Sequence, residues 1–219
     1  MKPRLVPLGD SAVLVQLGEE IDPVLNRRVH ALDARLRGSG IEGVIETVPA
    51  YASLLVHYDP LVLTYDEVSD WVRGESSKAD EADARAPRRV EVPVRYGGDA
   101  GPDLGYVATY HKVSPEKVAE LHASLDYLVY MMGFTPGFPY MGKLNAAIET
   151  PRLETPRTRV PRGSVGIAGA QTGIYPVESP GGWRLIGRTS LSLFDLAADP
   201  PFLLSPGDSV RFVIEAIDA

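Results

Sequence analysis

Four arginines, Arg152, Arg157, Arg159 and Arg162, crowd the segment PRLETPRTRVPRG. Guanidinium forks grip carboxylates and phosphates bidentately, and the interleaved prolines stiffen the backbone that presents them. Arg157 and Arg159 stand two apart between Pro156 and Pro161. In an extended chain, which those prolines favour, both side chains share one face. Two guanidiniums on one face repel unless an anion lies between them, so the spacing points to a bound carboxylate or phosphoryl group. The alternative is a solvated, charged edge with no specific role. Gln171 and Thr172 sit between Gly169 and Gly173, a pattern that presents amide and hydroxyl groups at a pocket mouth, or makes an ordinary hairpin turn. His122, in AELHASL, falls on an expected helix, where a lone histidine is either a packed group or an acid–base catalyst.

No self-contained catalytic motif accompanies these groups. There is no GxxxxGK[ST] phosphate loop, no HExxH and no GxSxG elbow. The absence of cysteine excludes thiol catalysis, disulfides and cysteine–metal sites. The four histidines, His30, His57, His111 and His122, are too scattered to make a metal set. Any chemistry must use groups that the fold or another chain brings together.

The candidate groups concentrate between Gly133 and Ser190, which holds 10 of the 21 glycines and 7 of the 19 prolines. Phe134, Phe138, Tyr140, Tyr175 and Trp183 are interleaved with these breakers, whereas disordered linkers are poor in aromatics. Seven Lys and Arg against three Glu give the stretch a local charge of +4, inside a chain of formal charge -7. An ordered, basic, aromatic-lined set of loops is a candidate ligand surface.

The elements that must position these loops fall into two sets. Ala12–Leu17 follows the Gly9-Asp10 turn as a buried strand. Asp22-Pro23 opens a helix whose apolar face is Leu25, Val29, Leu32 and Leu36, stopped by Gly38 and Gly40. Strands are expected around Val44–Val48 and Ser53–Tyr58, then a helix capped by Thr64 and Glu67. The order β-α-β-β-α fits a small ferredoxin-like sandwich that still needs one more strand. Gly74 to Arg89 is polar and lacks apolar periodicity, so it marks the boundary. Beyond it come a strand at Arg89–Tyr96, helices at Pro102–Tyr110 and Ser114–Ser124, and short β runs: YLVYMMG, SVGIAG, GIYPVES, WRLIGRT, LSLF and DSVRFVIEAI. Short strands with Gly/Pro turns suggest a closed or nearly closed barrel. The organisation is thus an α+β chain of residues 1–80, a linker at 81–88, and a second domain at 89–219. The acidity belongs to the first part: residues 1–87 carry 9 basic and 15 acidic groups, a net -6.

Apolar content of 44% and charged content of 23% are ordinary for a globular protein. A pI near 5.1 argues against nucleic acid as the main partner. MKPRLVPLGDSAVL lacks a signal-peptide apolar core and no run approaches membrane-spanning length, so the expectation is a cytoplasmic protein with no membrane partner.

GFTPGFPYMG, PRTRVPRGSVGIAGAQTGIYP, SPGGWRLIGRT and LLSPGDSVRF closely resemble one family. It is known variously as allophanate hydrolase subunit 1, carboxyltransferase subdomain C and D, or inhibitor of sporulation kinase A. Its best-defined enzymatic role is as the B component of prokaryotic 5-oxoprolinase. GDSAVLVQLG, IDPVLNRRVHAL and VPAYASLLVHYDP extend the likeness to the first domain, so it spans nearly the whole chain. The resemblance implies a ferredoxin-like N-terminal domain followed by a cyclophilin-like β-barrel. It implies ATP-dependent opening of the 5-oxoproline lactam to glutamate, performed with two partner chains of the 5-oxoprolinase. These are the C component, a second cyclophilin-like chain, and the A component. ATP, with Mg, would be a co-substrate, with no tightly bound cofactor and no metal site. The family's pocket motifs map onto His122, Arg157 and Arg159 as catalytic groups. They map onto Phe134, Pro136, Gly137, Tyr140, Ser164, Gln171, Thr172, Trp183 and Arg188 as substrate-binding groups. One departure is Met141-Gly142-Lys143, where many relatives have Leu-Gly-Gly. The same family name also covers a regulatory binder that inhibits a histidine kinase, which needs a partner surface rather than a small-molecule pocket.

Overall fold

Helix α1, Pro23–Ser39, starts where Asp22 accepts hydrogen bonds from the backbone N–H groups of Val24 and Leu25, and ends at Gly40, whose N–H bonds the Leu36 carbonyl. Proline at its first position has no N–H to leave unsatisfied. Its buried face carries Val29, Leu32 and Leu36. Helix α2, Tyr65–Ser76, starts on a complete capping box between Thr64 and Glu67. Both helices share a core with Val13, Val15, Leu54, Val56 and Tyr58. These last residues come from strands β2, Ala12–Gln16, and β4, Ser53–Tyr58.

The sheet under these helices has the order β1-β2-β4-β3, where β1 is Arg4–Pro7 and β3 is Val44–Pro49, with every pair antiparallel. The fourth strand, β1, pairs with β2 at the sheet edge and precedes the others in the chain. Its RLVP sequence is too short and too proline-bounded to register as a strand alone. The structure, a computed structural model, describes residues 3–78 and 87–218. The chain divides into two compact units, Met1–Ala86 and Pro87–Ala219. Most of the linker expected at 81–88 lies outside the described residues. Arg88, assigned to it, belongs with the second unit instead: its guanidinium pairs with buried Asp208 at 3.0 Å and its carbonyl accepts from Ser209 N–H at 2.9 Å.

That second unit is a closed seven-stranded barrel. Its strands are β5 (Arg89–Gly97), β6 (Asp126–Met132), β7 (Pro139–Gly142), β9 (Ser164–Ala168), β10 (Gln171–Ile174), β12 (Arg184–Arg188) and β13 (Ser209–Asp218). Around the barrel the order is β10-β7-β6-β13-β5-β12-β9. The first and last strands, β5 and β13, lie parallel, with Ser209 opposite Arg89 and Phe212 opposite Val92. Closure leaves no unpaired sheet edge. Inward residues such as Val92, Val94, Val165, Ile167, Ile186 and Phe212 fill the interior. Helices α3, Leu104–His111, and α4, Pro115–Ala123, add Leu104, Val107, Val118 and Ala119 to that core. An α+β architecture with a barrel therefore matches the expectation. LSLF is not a strand, however: Phe194 makes only an isolated bridge to Phe202, and the nearby backbone is satisfied by the Thr189 hydroxyl and by Leu203.

A small two-stranded sheet of β8, Arg157–Val160, and β11, Ser179–Gly181, stands apart from the barrel ladder. A second apolar cluster, Phe138, Val160, Ala168, Tyr175, Trp183 and Leu185, joins it to the barrel strands. This cluster is the floor of the candidate site.

Candidate functional site

Phe134, Phe138, Tyr140, Tyr175 and Trp183 line a cleft of about 460 Å³, together with Arg152, Leu153, Glu154, Pro156, Pro180, Gly181 and Gly182. The rings meet edge to face. Phe138 lies 4.9 Å from Tyr140, 5.1 Å from Tyr175 and 5.4 Å from Trp183 between centroids, an arrangement that fixes each ring against the next. Two glycines make this close packing possible. A Cβ on Gly173 would stand 2.9 Å from the Phe138 ring, and one on Gly181 would stand 2.3 Å from the Tyr175 hydroxyl oxygen. Burial raises the phenol pKa of Tyr175 and Tyr140, so both stay protonated at neutral pH; Arg152 acts in the opposite direction on Tyr140.

Expected site residues fall in four places. Phe134, Tyr140 and Trp183 share the cleft. Phe134 is 61% exposed and sits in the left-handed region at φ 65, which bulky side chains rarely adopt. Pro136 is exposed and Gly137 buried in the same loop, where Gly137 abuts Phe194 and Phe202.

His122 and Thr172 are in the barrel interior. His122 is 0% exposed, with Tyr96 Oη 2.8 Å from Nδ1 and Thr172 Oγ1 2.9 Å from Nε2. Thr172 donates its own proton to the Gly166 carbonyl at 3.1 Å. Its oxygen therefore accepts from His122, which fixes the Nε2–H tautomer and leaves Nδ1 to accept from Tyr96. Burial lowers the His122 pKa to about 3. His122, expected as a catalytic group, is thus a neutral ring with no exposed surface and both nitrogens engaged, and it does not line the cleft. Gln171 is half-buried at the start of β10, opposite Gly142 and Ala168.

Ser164 and Arg188 face each other across β9 and β12. Ser164 Oγ and Arg188 Nε are both buried without a hydrogen-bond partner among the described residues, while Arg188 Nη2 donates to the Asp99 carbonyl at 3.3 Å. Neither lines the cleft.

Arg157 and Arg159, expected to hold an anion jointly, each contact a different carboxylate, and neither lines the cleft. Arg157 Nη2 contacts Asp103 Oδ1 at 2.9 Å, and the other Asp103 oxygen accepts from Leu185 N–H at 2.6 Å. Arg159 Nε contacts Glu178 Oε2 at 2.7 Å, with 76% of its side chain exposed. No local pattern marks these partners, since Asp103 is 54 residues from Arg157. The cation in the cleft is instead Arg152, which belongs to the same arginine cluster but carries no separate signal. Tyr175 and Glu154 are further lining residues outside the expected site set.

Among the described residues no group of three or more His, Asp or Glu could hold a metal ion. No helix of the described residues is long and apolar enough to cross a membrane.

Beside the closed barrel lies an aromatic cleft with a cation at its edge, a concavity of the size in which small molecules bind. Residues 3–204 match the carboxyltransferase domain, subdomain C and D, and the chain belongs to that family. It is 45% identical to the 5-oxoprolinase B component of Bacillus subtilis (strain 168), over 96% of this chain and 92% of the relative. It is likewise 45% identical to the 5-oxoprolinase B component of Escherichia coli O157:H7, over 96% of this chain and 95% of that one. The K. lactis urea amidolyase structure superposes with a TM-score of 0.80 over 98% of this chain and 15% of its own, at 22% identity, a likeness of fold alone.

Proposed function

We propose that this chain is one component of an ATP-dependent 5-oxoprolinase, which converts 5-oxo-L-proline, ATP and water to L-glutamate, ADP and phosphate. It acts with the C component, a second cyclophilin-like chain, and with the A component. The names of the relatives and one structural observation support this reading. The observation is the cleft itself, about 460 Å³ of aromatic wall with a guanidinium at its edge, which suits a flat, anionic lactam. A kinase-binding surface would have no use for such a pocket. In the same reading the first unit is ferredoxin-like with its edge strand supplied from the N-terminus, the barrel is cyclophilin-like, and the protein works in the cytoplasm.

An amide carbon is a poor electrophile. Transfer of the ATP γ-phosphoryl to the lactam oxygen converts that oxygen into a leaving group. Water then adds to the carbon and the ring C–N bond breaks, the nitrogen taking the added water's proton, which leaves an acyl phosphate. A second water hydrolyses that to phosphate and the side-chain carboxylate of glutamate. The cleft's rings hold the lactam plane and its phenols stay protonated as neutral donors. The lining offers no nucleophile activated by a base and no phosphate loop, so the phosphoryl-transfer groups, and Mg with the ATP, come with the partner chains.

The test is reconstitution. The two partner chains alone should release little glutamate, and adding this chain should restore ATP-dependent release from 5-oxoproline. Trp183→Ala should abolish most of that gain. Full activity of the partners without this chain would remove its assigned role.

A further inference from the structure

Of the cleft's lining residues, two are ionic, Arg152 and Glu154, and they stand two apart, with Leu153 between them. Neither makes a salt bridge or a side-chain hydrogen bond among the described residues, with each other or with anything else. Arg162 also has no partner among the described residues but does not line the cleft, while the other neighbouring arginines are engaged: Arg157 has Asp103, Arg159 has Glu178, Arg184 sits over the Tyr106 ring at 3.7 Å, and Arg188 bonds the Asp99 carbonyl. The backbone that carries Arg152 and Glu154 is nonetheless fixed. The Pro151 carbonyl accepts from Arg184 Nε at 3.3 Å, and Leu153 N–H donates to the Gly182 carbonyl at 2.8 Å. Leu153 and Gly182 both line the cleft as well. A positive and a negative group are thus held at one aromatic cleft on an anchored segment, opposite in sign yet not neutralising each other.

Opposite charges this close in sequence ordinarily gain by pairing, even if only slightly at a surface. Held apart, they complement a ligand that carries both an anion and a hydrogen-bond donor. We propose that Arg152 and Glu154 are the specificity-determining pair of this cleft. The Arg152 guanidinium takes the ligand's carboxylate in its planar fork, and the Glu154 carboxylate accepts the N–H on the adjacent carbon. The ligand class is a small amide or lactam with a carboxylate on the carbon next to nitrogen. This rests on the 5-oxoprolinase reading for the reaction, and it transfers the carboxylate-binding role from Arg157 and Arg159 to Arg152.

The experiment compares probes that each lack one handle. In the reconstituted complex, Arg152→Ala should raise KM for 5-oxoproline roughly ten- to a hundredfold, the loss of one charged hydrogen bond. The inhibition constant of 2-pyrrolidinone, which has no carboxylate, should move less than about twofold, since it never had that bond to lose. Arg152→Lys should recover only part of the loss. Glu154→Ala should weaken 5-oxoproline but not its N-methyl derivative. Melting temperatures check that the exposed substitutions leave the fold intact. Unchanged 5-oxoproline kinetics in Arg152→Ala, with an active wild-type complex, would overturn the pair while leaving the enzyme reading in place. An inactive wild-type complex would instead sink the enzyme reading. Calorimetry on the full chain alone then decides the pair: tighter binding of 5-oxoproline than of 2-pyrrolidinone, lost in Arg152→Ala, supports it, and equal or absent binding refutes it.

Discussion

At Phe134 a large ring occupies a backbone conformation that costs an ordinary residue about 1–2 kcal/mol. The ring is 61% exposed and its one aromatic contact among the described residues is Phe138, so little packing offsets that cost. Phe134→Gly should therefore raise the melting temperature while lowering turnover of the reconstituted complex. A drop in stability would mean that the ring is held for the fold. His122 presents the opposite case, a polar group wholly committed to the interior. Its folded pKa, about 3, lies below the unfolded value of 6.5. The folded and unfolded states then bind the same protons above pH 6.5. As pH falls from 6.5 toward 3 only the unfolded chain takes up the proton, and stability is lost at up to about 1.4 kcal/mol per pH unit. Urea midpoints at pH 7 and pH 5 should show this loss, and His122→Gln should shrink the difference. Imidazole NMR should find the Nε2–H tautomer with no titration between pH 5 and 8. The sequence placed His122 on a helix ahead of glycine-rich loops, but whether such a histidine faces solvent depends on which face the barrel covers, and no local pattern encodes that.

Asp103 is the N-terminal flanking residue of α3, yet its carboxylate does not cap that helix. It turns to Arg157 and to Leu185 N–H, tying α3, β8 and β12 together beside Trp183. Arg157 Nη1 also reaches the Trp183 carbonyl at 3.5 Å. The Asp103 side chain is 9% exposed and that of Arg157 27%, so this pair is shielded from solvent as the Arg159–Glu178 pair, at 76% and 49%, is not. Double-mutant cycles should separate them: a coupling of at least about 1 kcal/mol for Asp103 with Arg157, and under about 0.5 kcal/mol for Arg159 with Glu178. Similar couplings would mean that burial does not set the strength of either. Elements with local signals were readable in advance, because the caps at Asp22, Thr64 and Ser114 lie within three residues of the groups they satisfy. The strands β1 and β7 were not, since RLVP and PYMG are four-residue pieces whose strand character comes from the strands they pair with. The cleft was half legible: aromatics among glycines marked its wall, while the choice among four arginines depended on distant carboxylates.

Over the whole chain, every residue lining the cleft, and every strand and helix that positions it, lies in the unit Pro87–Ala219. The interior of the barrel is filled from that unit alone, and the core beneath α1 and α2 is filled from Met1–Ala86 alone. Each unit thus has its own apolar core, the condition for folding alone. The charge is divided too, with the acidity concentrated ahead of residue 88. We propose that the two fold independently. Trypsin should cleave the native chain first at Lys78 or Arg85, within the polar segment, before any site between Gly133 and Ser190. A fragment of residues 87–219 should unfold in urea as one cooperative transition and keep the emission of Trp183, which is 8% exposed and walled by Phe138 and Tyr140. That fragment leaves out the other tryptophan, Trp71, so its fluorescence reports the cleft directly. A red-shifted, solvent-like emission with no transition would show that the barrel depends on the first unit to hold its shape.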